Sequence, residues 1–145
     1  FPLAAVLMRS KYDVLDYGED EFTYGGHPLS CAVALKNIEI LKHMNTEKLV
    51  TEKGFLISKF LLTLQKKHQF IKEIRGEGLI WAVDFGKNIS IVDIDQIYKK
   101  ALSNGLILRK SQDGLGSSLV IKLPLIITDS EIKKGMERLD RSLAV

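Results

Sequence analysis

Residues 22–35 read FTYGGHPLSCAVAL. A threonine stands between two aromatics, two glycines follow, and His27-Pro28 precedes small apolar residues. Pro28 suits the first turn of a helix, where its missing N–H costs nothing. Leu29, Val33, Leu35, Ile38 and Leu41 recur at helical spacing and predict a helix over 28–43. The stretch is therefore a loop feeding a helix N-terminus. There, glycines let backbone N–H groups approach an anion, and the helix dipole favours negative charge. The Thr23 hydroxyl adds a donor for a phosphate oxygen. A plain loop-to-helix turn, with Thr23 and His27 satisfying backbone groups, has the same spacing, so both readings stand at this point.

Working outward, Phe1–Met8 is a short apolar run that predicts a buried strand, and residues 10–21 are polar and turn-rich. Downstream, Thr46 is placed to cap a long amphipathic helix over 47–68, interrupted only by Gly54. LIWAVDF (79–85) reads as a strand with Trp81 and Val83 on one face and Ile80, Ala82 and Asp84 on the other. A helix over 94–104 stops at Gly105 in the left-handed position. Residues 106–109 and 118–123 read as a hairpin around the polar turn KSQDGLGSS. Thr128 and Glu131 have capping-box spacing ahead of a last helix with Ile132, Met136, Leu139 and Leu143 on its inner face. This order predicts an α/β or α+β arrangement, with a small sheet covered by helices.

The composition narrows the function. A length of 145 residues allows a real core, one that buries roughly two-thirds of the unfolded surface. A net charge of +3, from lysines scattered among acids, gives no basic stripe and argues against nucleic acid. The single cysteine, Cys31, precludes an internal disulfide and fits a reducing compartment, the cytoplasm; its small apolar neighbours predict that it is buried and inert. No apolar run approaches the roughly 20 residues of a membrane span. FPLAAVLM lacks the basic flank of a signal peptide, and a start at Phe1 within a predicted strand is expected of numbering that begins inside a longer protein. His27, His43 and His68 are too widely spaced for a metal site.

Arg109 ends a predicted strand before a polar, glycine-bearing turn, a position from which a guanidinium takes a carboxylate bidentately. A solvated strand-end arginine has the same signature. RGEGL (75–79) is not a dinucleotide fingerprint, and its glycines read as structural.

FPLAAVLM, FTYGGHPLSCAVAL, RGEGLIWAVDF, GLILR and LPLIIT, in this order, resemble the C-terminal part of class III aminotransferases, which are pyridoxal-phosphate (PLP) enzymes of fold type I. The G-G-H-P form resembles the omega-amino-acid:pyruvate branch. The resemblance implies a cofactor site in which Phe22, through its backbone, and Thr23, through its hydroxyl, reach across a homodimer interface at residues 22–28 to the PLP phosphate. His27 is then a positioning residue. It implies that Arg109 binds the substrate carboxylate, although Lys110 stands where the family often has proline and the loop after it is longer. It also implies that the Schiff-base lysine lies upstream of residue 1, leaving no catalytic residue in this chain. Residues 1–45 would close the large PLP-binding domain, and 46–145 would form the small C-terminal domain. The expected reaction moves an amino group from an amine or omega-amino acid to an oxo acid such as pyruvate. The alternatives are an inactive fragment that serves as a binding or dimerisation module, and an aminomutase-type isomerase using the same cofactor.

Overall fold

The computed structural model of the chain describes residues 1–86, 91–111 and 117–144. They divide into two compact units, Phe1–Thr46 and Glu47–Val145.

The first unit holds a short 3-10 turn at Ser10–Tyr12 and helix α1, Pro28–His43, with the bounds that the apolar period and Pro28 predict. The strand expected at Phe1–Met8 does not form. These residues have no regular structure and are exposed, Leu7 to 97%. A strand exists only when a neighbour completes its hydrogen bonds, and none of the described strands pairs with this run. Cys31 is half-buried rather than buried. Thr46 does not cap the next helix; its hydroxyl donates to the Leu41 carbonyl at 2.6 Å and closes the end of α1.

The remaining elements are α2 Thr46–Lys67, β1 Glu73–Glu77, β2 Ile80–Asp84, α3 Ile91–Ser103, β3 Arg109–Lys110, β4 Ser118–Lys122 and α4 Asp129–Leu143. The strands form one antiparallel sheet in the order β1-β2-β4-β3, so the second unit is α+β. One core cluster joins Ile57, Leu61 and Leu64 of α2, Ile97 and Ala101 of α3, Val83, Leu119 and Ile121 of the sheet, and Ile132, Met136, Leu139 and Leu143 of α4. The helices thus cover one face of the sheet.

Three local devices hold this arrangement. Gly54 lies against the β1–β2 turn: a Cβ there would meet Gly78 Cα at 2.8 Å, and Gly78 itself takes φ +56°, a value that side chains resist. The α3 terminus is a Schellman cap, in which the Gly105 N–H bonds the Leu102 carbonyl and the Leu106 N–H bonds the Ala101 carbonyl at 2.8 Å. The capping box of α4 is closed, with the Glu131 N–H on Thr128 Oγ1 and the Thr128 N–H on Glu131 Oε2.

The hairpin of 106–109 with 118–123 is shorter than expected. Only Arg109 and Lys110 pair, with Val120 and Leu119. Leu106 keeps its N–H in the helix cap, so the chain reaches β4 late. β1 was not expected: EIRGE is largely exposed, and its polar residues carry no alternation of apolar side chains.

Candidate functional site

The first candidate lies in the Phe1–Thr46 unit. The Gly25 N–H donates to the Phe22 carbonyl at 2.9 Å, and the His27 N–H to the Tyr24 carbonyl at 3.3 Å, so residues 22–27 form two overlapping turns. Gly26 takes φ +64° in the second turn, which glycine accepts without strain. His27 is the N-cap of α1. Its Nδ1 accepts from the Ser30 N–H at 3.4 Å and its carbonyl from the Cys31 N–H at 3.0 Å. The helix start thus holds the imidazole through Nδ1.

Phe22 is 80% exposed, and Thr23 is exposed beside it. The Thr23 hydroxyl has no hydrogen-bond partner among the described residues. Of the Phe22 backbone groups only the N–H can donate to an anion; its carbonyl is an acceptor and takes the Gly25 N–H. A hydroxyl and a backbone N–H beside a helix start suit a phosphate by chemistry and by dipole. The residues present therefore fit the phosphate of PLP.

The second candidate lies on the sheet of the other unit. Directly opposed residues of antiparallel strands share a face, so the register defines rows across the sheet. Arg75, Ala82, Val120 and Arg109 form one row. Glu73, Asp84 and Ser118 flank it on one side, and Glu77, Ile80 and Lys122 on the other. This is the face away from the core: Val83, Leu119 and Ile121 point the other way. Arg109 is exposed on edge strand β3 and makes no side-chain hydrogen bond or ion pair among the described residues. Lys110 faces the helices, paired with Asp95 and 5.4 Å from the Tyr98 ring centre. That pairing holds the Asp95 carboxyl below its ordinary range. Lys110 thus ties β3 to α3 and leaves Arg109 on the open face. The longer loop after Lys110 falls largely on residues 112–116, outside the described residues.

Arg75 is not free for an external anion. Its guanidinium pairs with Asp84 and Glu73, each at 3.0 Å, and donates to Ser118 Oγ at 3.4 Å. Asp84 and then Glu73 hold Arg75 further into its charged form. Burial works to raise the Asp84 carboxyl, but the Gly86 N–H at 2.7 Å, the Ser118 hydroxyl at 2.8 Å and Arg75 outweigh it and keep the group below its ordinary range. This network was not legible in RGEGL, because Asp84 and Ser118 join Arg75 only through strand pairing.

Arg109 and the 22–27 loop belong to different units. Among the described residues, no cluster of His, Cys, Asp or Glu could hold a metal, and no helix is long and apolar enough to cross a membrane.

Residues 1–143 match the family described as aminotransferase class-III. The chain is 33% identical over 144 residues to the acetylornithine aminotransferase of Caldanaerobacter subterraneus subsp. tengcongensis, covering 99% of this chain and 35% of that protein. It is 33% identical over 154 residues to ethanolamine-phosphate phospho-lyase homolog 1 of Caenorhabditis elegans, covering 100% of this chain and 32% of that protein. An aminotransferase structure from Bacillus anthracis superposes with a TM-score of 0.77 at 27% identity, over 88% of this chain and 32% of the other. The chain thus spans about a third of the length of the relatives it matches. With the family match over residues 1–143 and a superposition over 88% of the chain, the chain belongs to the class III aminotransferase family.

Proposed function

We propose that this chain supplies the phosphate grip and the carboxylate clamp of a PLP-dependent aminotransferase. The observation that carries the reading is the family match over residues 1–143. In this reading, residues 1–45 end the large domain and residues 46–145 form the small one. The rest of the enzyme, with the Schiff-base lysine, lies upstream of residue 1.

The Phe22 N–H and the Thr23 hydroxyl hold the PLP phosphate of a second subunit, across a homodimer interface at residues 22–28. His27 fixes the loop to the start of α1. PLP, when bound, supplies an electron sink for breaking bonds at the substrate carbon. Arg109 binds and orients the carboxylate of the amino donor or of the oxo-acid acceptor, for which pyruvate is the first compound to try. The similarity to the phospho-lyase homolog favours a second reading, an elimination on the same cofactor.

Two experiments test this. Intact mass after borohydride reduction of the protein from its source is expected to show one pyridoxyl adduct on a chain heavier than 16.3 kDa; a 145-residue chain without adduct favours the binding-module alternative. In the active enzyme, Arg109→Ala is expected to depress kcat/KM for carboxylate substrates about tenfold or more, while sparing simple amines. Equal losses on both would make Arg109 structural, and product analysis separates transfer from elimination.

A further inference from the structure

We propose that the cavity between α4 and the segment leading into β3 binds a small aliphatic molecule that ends in an anionic group. The proposal stands apart from the reading of Arg109, which does not line this cavity.

The backbone explains why the space is open. The Leu106 N–H is spent on the Ala101 carbonyl in the α3 cap, and only Arg109 and Lys110 pair with β4. Residues 106–108 are thus left out of the ladder, and together with the end of β4 and α4 they line a cavity of about 340 Å³. Small-ligand sites begin near that size, at roughly 300 Å³. Leu108, Ile121, Ile132, Met136 and Leu139 form a buried apolar wall, while Ile107, 83% exposed, marks the side open to solvent. None of the described lining residues is aromatic, so the wall suits an aliphatic chain and offers no stacking to a planar ring.

Gly135 is an independent sign. It stands inside α4, where glycine costs a helix stability relative to alanine. A Cβ there would meet only Leu106 Cδ1, at 4.0 Å, an ordinary contact. Neither the helical backbone nor packing requires glycine at this position, in contrast with Gly54. Its missing side chain widens the cavity that it lines.

The polar rim sets the sign of the ligand's head. Glu131, Lys134 and Arg138 follow one another at helical spacing on the stripe of α4 that holds Gly135. Glu131 is committed to the capping box, its Oε2 taken by the Thr128 N–H and hydroxyl. Lys134, Arg138 and Lys122 of β4 line the cavity and form no ion pair among the described residues. The Arg138 guanidinium lies over Gly105, where a Cβ would stand 3.2 Å from it, and donates to the Gly105 carbonyl at 2.7 Å. That bond uses one of its several N–H groups and holds the rest at the cavity. An anionic head answers Lys134 and Arg138, with its tail on the apolar wall.

The opposing account is an empty packing gap beneath solvated helix cations. The test is a titration of the 145-residue chain with octanoate, octyl phosphate, octanol and acetate, followed by backbone amide shifts at constant ionic strength because salt screens exposed charge. Octanoate or octyl phosphate is expected to bind about tenfold more tightly than both octanol and acetate, with shifts centred on residues 106–108 and 135. The tighter of the two identifies the head. Gly135→Leu, which puts a side chain into the cavity, is expected to weaken that binding about tenfold or more without lowering the melting temperature, since leucine is the better helix former. Arg138→Gln keeps an N–H for the Gly105 carbonyl and removes the charge. It is expected to bring the anionic probe down to the level of octanol and leave octanol unchanged, whereas Lys66→Met, at an exposed lysine on α2, leaves all four probes unchanged. Equal affinity for octanol and the anionic probes, or equal losses in Arg138→Gln and Lys66→Met, overturns the proposal. Binding that is present in the 145-residue chain and absent from the protein isolated from its source would show that another segment fills the cavity, and overturns it as well.

Discussion

At the scale of single residues, the hydrogen bonds that matter most are those with charge on one side. If Thr23 donates to a phosphate, its hydroxyl makes a charge-assisted bond, worth roughly 1.5–3 kcal/mol. Thr23→Ala in the PLP enzyme is then expected to weaken cofactor retention by about tenfold or more, read as the PLP dissociation constant from absorbance; unchanged affinity would remove Thr23 from the site. Asp140 offers a pH test. Its Oδ2 lies 2.5 Å from Lys67 Nζ and its Oδ1 2.7 Å from His68 Nε2, and these partners hold the carboxyl below its ordinary range. A depressed carboxyl stabilises the fold at every pH above its unfolded value, and the contribution fades as pH falls through the folded value. The melting temperature is therefore expected to drop below about pH 4. Asp140→Asn should lower it at neutral pH and shrink the acid-side drop. The same drop in the variant would mean that Asp84, Asp95 or Glu131, all depressed as well, carry it.

Elements show where local sequence rules reverse. In an exposed helix, replacing glycine by alanine stabilises by up to about 1 kcal/mol. In α2 the same change at Gly54 drives a Cβ to 2.8 Å from Gly78 Cα and 3.0 Å from Gly78 O, both backbone atoms that cannot step aside. Gly54→Ala is expected to destabilise by about 1–3 kcal/mol, measured by urea unfolding. Stabilisation would show that the β1–β2 turn yields. α1, α4, the Gly105 stop and the capping box were legible because each is decided within a few residues: Pro28 sets a start, Thr128 and Glu131 satisfy each other, and Gly105 ends a helix. β1 and the length of β3 were not. Pairing decides a strand, and nothing in EIRGE announces that β2 will bind it. The Schellman bond at Leu106, in turn, takes an N–H that LILR would otherwise bring to the ladder.

For the whole molecule, every buried hydrophobic side chain among the described residues lies between Ile57 and Leu143, inside the second unit. A chain of residues 47–145 is accordingly expected to unfold cooperatively, with a melting temperature within a few degrees of the 145-residue chain by circular dichroism. Loss of cooperativity would show that the first unit contributes to that core. The candidate site was partly legible. The FTYGGHP turn and Arg109 stand out because loop chemistry and strand ends carry local signatures. The Arg75–Asp84–Ser118 network does not, since those residues meet only through strand pairing. The sequence by itself determined the helices, the Gly105 stop of α3, the capping box of α4 and the loop that launches α1, because the hydrogen bonds of helices and turns close within a few residues. Only the tertiary structure decided the strand order β1-β2-β4-β3, the exposed state of Phe1–Met8 and the face that Arg109 shares with Lys122. Those depend on pairing between distant segments, which local propensity does not encode.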